Sequence, residues 1–458
     1  MRFLVLLLTM ITASWAADRA PNIIIIFTDD QGYEDLGCFG SPLIKTPNLD
    51  RMAAEGRKFT SFYSANSVCS PSRAALLTGC YPTRVSVPGV LFPRHDTGLN
   101  PDEITIADLL KTRGYATACV GKWHLGHKPS LLPIKQGFDH YFGIPYSNDM
   151  TIDPEATLSD SITFRAGASR ARMAMLEKQP KNWVPLMRDG EVIEYPADQT
   201  TLTKRYTEEA LGFIEKHAKE PFFLYLPQTM PHIPLFASED FRGKSARGLY
   251  GDTIEEIDWS VGQVLQALKD HEIDEDTLVI YASDNGPWKL DGERGGSAFP
   301  LRGYKFSTFE GGMRVPCLMR WPGKIPAGTT TDEITATIDL MPTLAKLAGG
   351  EAPNDRVIDG HDIWPIMAGQ AGAKSPHEFY YYYKGQRLES IRSGPWKLRR
   401  LGKTKKAAAS VELYHLENDI GEMTNLSEKH PEKAQALLAQ METFDASLKA
   451  AIRPAGKH

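Results

Sequence analysis

The segment Asn22-Ile23-Ile24-Ile25-Ile26-Phe27 runs apolar without alternation and then breaks into Thr28-Asp29-Asp30-Gln31-Gly32. A half-exposed strand would alternate, so this β-branched run predicts a strand buried on both faces of a parallel sheet. Thr46-Pro47-Asn48-Leu49-Asp50 then reads as an N-cap with Pro at N1, opening a helix that stops at Gly56. Phe59 to Tyr63 reads as strand, and Cys69 to Gly79 as a helix with Pro71 in its first turn. Asn100-Pro101-Asp102-Glu103 has capping-box spacing for a helix through Leu110 that ends at Gly114. Ala116 to Val120 is predicted strand, followed by Gly121-Lys122-Trp123-His124.

The same rhythm continues downstream. A helix near 204–219 precedes the strand Pro221 to Leu226, which runs into Met230-Pro231-His232. A helix near 253–271 precedes Thr277 to Tyr281, which runs into Ser283-Asp284-Asn285-Gly286. Alternation of this kind predicts an α/β fold, with a large, mostly parallel sheet flanked by helices. Ligands of such sheets sit beyond the carboxyl ends of the strands. Asp29/Asp30, Lys122/His124, His232 and Asp284/Asn285 all fall just past strand ends, so they are expected to converge on one rim.

Residues 147–200 interrupt the rhythm and read as an excursion over that rim. From about His377 short antiparallel strands are expected at Tyr380 to Tyr383, Arg387 to Arg392, Trp396 to Leu401 and Val411 to Leu416. A terminal helix carries apolar Ala434, Leu437, Leu438, Met441 and Phe444. The expected domains are 17–372 and a small α+β domain at 373–458, joined at the Gly/Ala-rich stretch 368–374.

With 458 residues and a net charge of −5 from interspersed signs, nothing in the composition points to a nucleic-acid surface, although a local basic pocket for an anion fits it. Arg2, the apolar run Phe3 to Ile11 and Ser14-Trp15-Ala16 read as a signal peptide at 1–16, giving an exported chain with no later membrane span. Cys38, Cys69, Cys80, Cys119 and Cys317 are an odd number for an exported protein, which marks one as reactive or modified. Spacing leaves the other four open between disulfides and thiols.

Cys69 is the candidate for that role. A cysteine at a helix N-terminus meets unpaired N–H groups and the positive end of the dipole, and Arg73 adds a cation one turn on. Asp29, Asp30, Asp284 and Asn285 offer three carboxylates and an amide oxygen, hard donors that suit Ca²⁺ or Mg²⁺ rather than zinc. One Asp-Asp pair is usually a turn; two pairs after two buried strands point to a metal. Lys122, His124, His232 and Lys305 gain weight together, as cations and proton carriers around an anion near that metal.

Cys69-Ser-Pro-Ser-Arg73 followed by Leu77-Thr78-Gly79 resembles the signature of the type I sulfatases, arylsulfatase branch, of the alkaline phosphatase superfamily. Asp29-Asp30, Gly121 to Gly126, Pro231-His232, Asp284-Asn285-Gly286, Glu310 to Pro316 and Leu413 to Leu416 appear in family order. The resemblance implies that Cys69 is oxidised to formylglycine by a formylglycine-generating enzyme, its hydrate supplying the nucleophile. Asp29, Asp30, Asp284 and Asn285 would hold Ca²⁺, with the group derived from Cys69 completing the shell. Arg73 and Lys122 would steady the hydrate, Lys122 and Lys305 would clamp sulfate, His232 would protonate the departing alcohol, and His124 would take a proton as sulfate leaves.

The expected substrate is a sulfated carbohydrate, with His95, Asn148, Asp149 and Trp183 as further contacts. Gln228 stands where many relatives carry a histidine. Phe299 and Phe306 replace the small residues usual there, and read either as packing or as an apolar wall beside the sulfate. Two other readings compete: a phosphate mono- or diester hydrolase of the same superfamily, and a sulfated-glycan-binding protein in which Cys69 stays a thiol.

Overall fold

The computed structural model describes residues 20–175, 180–290, 292–402 and 410–458. The expected leader at 1–16 lies outside the described residues. In the run Asn22–Thr28 every residue is buried, and successive side chains enter different cores. Ile23, Ile25 and Phe27 point into one, Ile24 and Ile26 into the other. With both faces buried, at roughly 1.5–3 kcal/mol per large apolar side chain, the strand needs helices on each side of its sheet.

The sheet supplies that frame. Asn22–Thr28 pairs in parallel with Phe222–Pro227 on one side and Thr277–Ser283 on the other, and Phe222–Pro227 pairs in parallel with Ala116–Val120. His140–Gly143 extends the parallel block beyond Ala116–Val120. Antiparallel partners flank this block on both sides, Cys317–Arg320 on one and Leu186–Arg188 on the other, in a sheet of 11 strands. Helices Pro47–Glu55, Leu202–His217 and Gly248–Asp270 cover one face, through Leu49, Tyr206, Ile214, Ile257 and Val261. Helices Cys69–Thr78, Ile106–Thr112 and Leu340–Leu347 cover the other, through Leu76, Leu77, Leu110 and Leu344.

Three local expectations are corrected. The capping box of the third of these expected helices is Thr105 with Asp108: the Thr105 hydroxyl accepts from Asp108 N at 3.1 Å and Asp108 Oδ2 accepts from Thr105 N at 3.0 Å. Glu103 instead receives Arg453 at 2.7 Å, from 350 residues away. The segment Phe59 to Tyr63 splits into Arg57–Phe59 in the main sheet and Phe62–Tyr63, paired with Thr335–Ala336. The excursion at 147–200 also does more than cross the rim, because Leu158–Phe164, Leu186–Arg188 and Glu191–Tyr195 continue the sheet. All five cysteines are free thiols, four of them buried.

The small domain forms a four-stranded antiparallel sheet, Tyr380–Lys384, Arg387–Ser393, Trp396–Leu401 and Ser410–His415, backed by the helix Pro431–Ala450. Its core is continuous with Tyr63, Ala75, Tyr81 and Met313 of the large sheet's helices and loops. Lys397 joins the two parts more firmly. Its ammonium lies 2.8 Å from Glu310 and 2.9 Å from Glu422, with all three side chains fully buried.

Candidate active site

Because the central strands run parallel, their carboxyl ends open on one edge. Asn22–Thr28 delivers Asp29 and Asp30 there, Thr277–Ser283 delivers Asp284 and Asn285, Ala116–Val120 leads to Lys122 and His124, and Phe222–Pro227 leads to His232. Close approach of two of these loops requires a glycine: a Cβ at Gly121, where φ is +133°, would sit 1.9 Å from Pro227 O. Asp30 and His124 also hold positive φ, 65° and 60°, a conformation that costs non-glycine residues about 1 kcal/mol and recurs where chemistry fixes the side chain.

Cys69 meets this rim as the first residue of helix Cys69–Thr78, which ends at Gly79 in the left-handed conformation. The Lys305 ammonium donates to Asp30 Oδ2 at 2.7 Å and to Cys69 Sγ at 3.4 Å. Lys122 donates to Asp29 Oδ2 and, at 3.3 Å, to Ser147 Oγ. Arg73 grips Asp284 Oδ2 through Nε at 3.1 Å and Nη2 at 2.8 Å, and gives Nη1 to Lys122 O at 3.1 Å. The structure therefore brings together Asp29, Asp30, Cys69, Arg73, Lys122, His232, Asp284, Asn285 and Lys305.

Burial and neighbouring charge set the protonation states. Burial pushes Asp29 upward, but Lys122, His232 and Arg73 outweigh it and hold the carboxyl well below its usual value. Burial raises Asp30 despite Lys305, and burial with the Asp29 charge raises Asp284. The Cys69 thiol is driven up by burial and then by Asp29, which disfavours the thiolate form. Burial, Lys122 and Arg73 hold His124 well below its ordinary value; burial and Lys305 do the same to His232.

The donor set fits a hard cation. Oxygens of Asp29, Asp30 and Asp284 lie within 4.8 Å of one another. Asp29 Oδ1 and Asn285 Oδ1 are buried without a hydrogen-bond partner, and Arg73 Nη2 stands off from Asp29 Oδ1 at 3.6 Å. Orphaned buried acceptors beside crowded carboxylates are what an oxygen-liganded Ca²⁺ site presents before its ion is counted.

Both histidines have one nitrogen assigned by their surroundings. His124 Nε2 lies 2.9 Å from Leu91 O, an acceptor, so Nε2 carries the proton and the buried Nδ1 is a free lone pair. His232 Nδ1 lies 2.6 Å from Ile233 O, while Nε2 faces Asp30 Oδ2 at 3.6 Å.

The expected substrate contacts fare differently. Asn148 is fully buried and its amide is committed to His232, Gln199 and Pro234, so it supports the site from behind. Trp183 is spent on Tyr195 and Arg172. His95 lies on the loop that carries Leu91 and packs on Phe92, and Asp149 keeps one buried oxygen unpaired. Gln228 is buried, with Nε2 3.4 Å from Ser260 Oγ.

Phe299 and Phe306 are not core residues, being 67% and 43% exposed. Two participants escaped the sequence. Ser147 Oγ bridges Lys122 and His232, both at 3.3 Å. Trp288 lies 4.5 Å beneath the Lys305 ammonium, with its ring 5.5 Å from those of both His232 and Phe306. Only its place just after Asp284-Asn285-Gly286 could have flagged it.

A family model described as Sulfatase matches residues 21–350. The chain belongs to the sulfatase family. A second model, N-sulphoglucosamine sulphohydrolase, C-terminal, matches residues 304–448 of this sulfatase. It is 42% identical over 401 residues to N-acetylgalactosamine-6-sulfatase of Canis lupus familiaris, covering 83% of this chain and 72% of that one. It is 38% identical over 483 residues to arylsulfatase A of Homo sapiens, covering 97% and 92%. Among solved structures, Ps i-CgsB in complex with k-i-k-neocarrahexaose aligns with a TM-score of 0.80 at 32% identity, covering 93% of each chain. Phosphonate monoester hydrolase SpPMH from Silicibacter pomeroyi, at 18% identity and a TM-score of 0.66, shares the fold alone. The sulfatase is thus a sulfuric ester hydrolase, and among the described residues no helix is long and apolar enough to cross a membrane.

Proposed function

We propose that this sulfatase removes sulfate from carbohydrate esters, using formylglycine made from Cys69 by a formylglycine-generating enzyme, with Ca²⁺ (or Mg²⁺) held by Asp29, Asp30, Asp284 and Asn285. The observation that carries the reading is the position of Cys69 Sγ, 3.4 Å from the Lys305 ammonium and beside the carboxylate cluster. The carbohydrate assignment rests on the oligosaccharide bound by Ps i-CgsB and on the hexosamine sulfatase relative. The leader at 1–16 makes the chain an exported enzyme in this reading, with the catalytic domain at 17–372 and the small domain at 373–458.

When present, the formylglycine hydrate would supply an oxygen nucleophile, and Ca²⁺ would offset charge on the sulfate. The chain's own side chains do the rest. Lys122 and Lys305 each have donors to turn toward sulfate oxygens, where charge grows as the ester bond breaks. Arg73 orients Asp284 through its two-point grip and partly offsets the burial that raises this carboxyl. His232, its first proton held at Nδ1, would take up a second proton at Nε2 as the negative charge of the sulfate ester enters the site, and pass it to the leaving alcohol. His124 accepts a proton at Nδ1 as sulfate is expelled; its lowered pKa keeps that nitrogen free at neutral pH. His95 and Asp149 remain candidates for sugar contact at the rim.

The test compares sulfate release from N-acetylgalactosamine 6-sulfate by the wild type and by Cys69→Ala, both made in a host with the modifying enzyme. Turnover by the wild type alone supports the reading. Tight sulfated-glycan binding without turnover by either protein would mark a binding protein, and preference for the matching phosphate ester a phosphatase.

A further inference from the structure

Behind His232 lies a chain of amides whose polarity is determined at every link. Gln199 Nε2 lies 3.0 Å from Asn148 O and 2.9 Å from Asn182 O. Backbone carbonyls only accept, so this atom is the amide nitrogen and Gln199 presents Oε1 to its remaining neighbour. That neighbour is Asn148 Nδ2, at 3.0 Å, which also lies 2.9 Å from Pro234 O. Both contacts require a donor, so Asn148 must turn its Oδ1 the other way, toward His232 Nδ1 at 3.0 Å. Ile233 O approaches the same nitrogen at 2.6 Å. Two acceptors meet there, so Nδ1 carries the hydrogen. Ser147 Oγ, 3.3 Å from both ring nitrogens, can then donate only toward Nε2.

We propose that Asn148 and Gln199 are a positioning pair that, together with Ile233 O, holds the proton of His232 on Nδ1, leaving Nε2 as the nitrogen that exchanges protons with substrate. Neither residue faces the reacting atoms. Asn148 is fully buried and Gln199 is buried on the short helix Gln199–Thr201, at the end of the segment that continues the sheet. The pair gives that segment a function: Gln199 also ties Asn182 to Asn148, so the amide facing His232 is braced from three directions. A free Asn148 could present its NH₂ group to the ring and favour the opposite tautomer, with Nε2–H pointing at the site and no lone pair there to reload. The kinetic consequence rests on the proton-donor role proposed for His232; the tautomer does not.

The direct test uses the full chain with ¹⁵N-labelled histidine, in its Ca²⁺-loaded form. His232 is assigned by comparison with His232→Gln. The expected spectrum has Nδ1 protonated and Nε2 with a free lone pair in the wild type, and a partial shift of the proton toward Nε2, with Ile233 O the remaining acceptor at Nδ1, in Gln199→Ala and Asn148→Leu. An Nε2–H tautomer in the wild type overturns the proposal, as does an unchanged Nδ1–H tautomer in both variants. The kinetic arm compares N-acetylgalactosamine 6-sulfate, whose alkoxide needs a proton to leave, with 4-nitrophenyl sulfate, whose phenolate does not. Loss of a proton donor costs about 10²–10⁴-fold where it is needed. His232→Ala should therefore lose far more on the sugar ester, and Gln199→Ala and Asn148→Leu should show the same bias at about tenfold. Asn148→Asp, which keeps an acceptor at Nδ1, should recover most of it. Equal losses on both esters in the pair's variants, with the bias retained in His232→Ala, refute the pairing. If His232→Ala itself shows no bias, the donor role fails, and the nitrogen spectra decide the tautomer alone.

Discussion

Lys305 reaches Cys69 from 236 residues away and sets its ammonium 3.4 Å from the thiol sulfur. The contact places a permanent cation at the atom where the nucleophilic oxygen of a formylglycine hydrate would stand. Cys69→Ala should lower sulfatase kcat by at least about 10³-fold, because no other group replaces the nucleophile. Its Tm should stay within a few degrees of the wild type, since only one small side chain is removed, and circular dichroism melts check this.

Removing the proposed Ca²⁺ should act on stability as well as activity. Three buried carboxyl groups then repel one another across less than 4.8 Å. Exhaustive treatment with EGTA is expected to abolish turnover and lower Tm by a few degrees. A ligand present at 100 times its Kd contributes about 2.7 kcal/mol. Ca²⁺ should restore both, and Zn²⁺ should not.

The interface between the two sheets has its own sensitive point. Lys397→Met leaves Glu310 and Glu422 facing each other in a fully buried site. Removing one partner from a buried ionic cluster costs about 3–5 kcal/mol, so Lys397→Met should melt well below the wild type in calorimetry. Surface Lys449→Met, whose partner Asp445 lies one helical turn away, should change little.

A pH-dependent contribution comes from His140, outside the carboxylate cluster proposed to hold Ca²⁺. Burial lowers its pKa, but Asp189 and Glu209 outweigh burial and raise it to about 9. A histidine raised in the folded state contributes fully below its unfolded value of about 6.5 and loses that contribution as pH rises through about 9. The wild type should therefore lose Tm between pH 6.5 and 9.5, and His140→Gln should lose less over the same window. Parallel curves for the two proteins would contradict the assignment.

Phe306 sits at φ +71° with nearly half its surface exposed, against Trp288. Glycine relieves that conformation, so Phe306→Gly should not lower Tm. It should still shift the ratio of kcat/KM between sugar and aryl sulfates, because the Trp288–Phe306 wall borders His232 and Lys305. An unchanged ratio would leave the wall without a role in selectivity.

The rim was legible because each parallel strand ends in polar residues, and parallel strands all end on the same edge. Asp29, Asp30, Lys122, His232, Asp284 and Asn285 were placed by that rule alone. Ser147 and Trp288 lie on irregular loops, where no periodicity says which way a side chain faces. Asn148 was seen as polar and near the rim, but its three partners are fixed by loop packing, so its inward role was hidden. Glu103 shows the converse: its spacing from Asn100 suited a cap, and a long-range arginine claimed it while Thr105 took the cap. Phe306 was ambiguous because hydrophobicity alone argues for burial, whereas its left-handed backbone turns it outward.

The central claim is that Cys69 is a precursor. Mass spectrometry of the tryptic peptide spanning residues 59–73, from enzyme with measured sulfate release, tests it most directly. The expected peptide is about 18 Da lighter than its thiol form, with specific activity proportional to the converted fraction. Full activity in protein that carries only the Cys69 thiol would contradict the account.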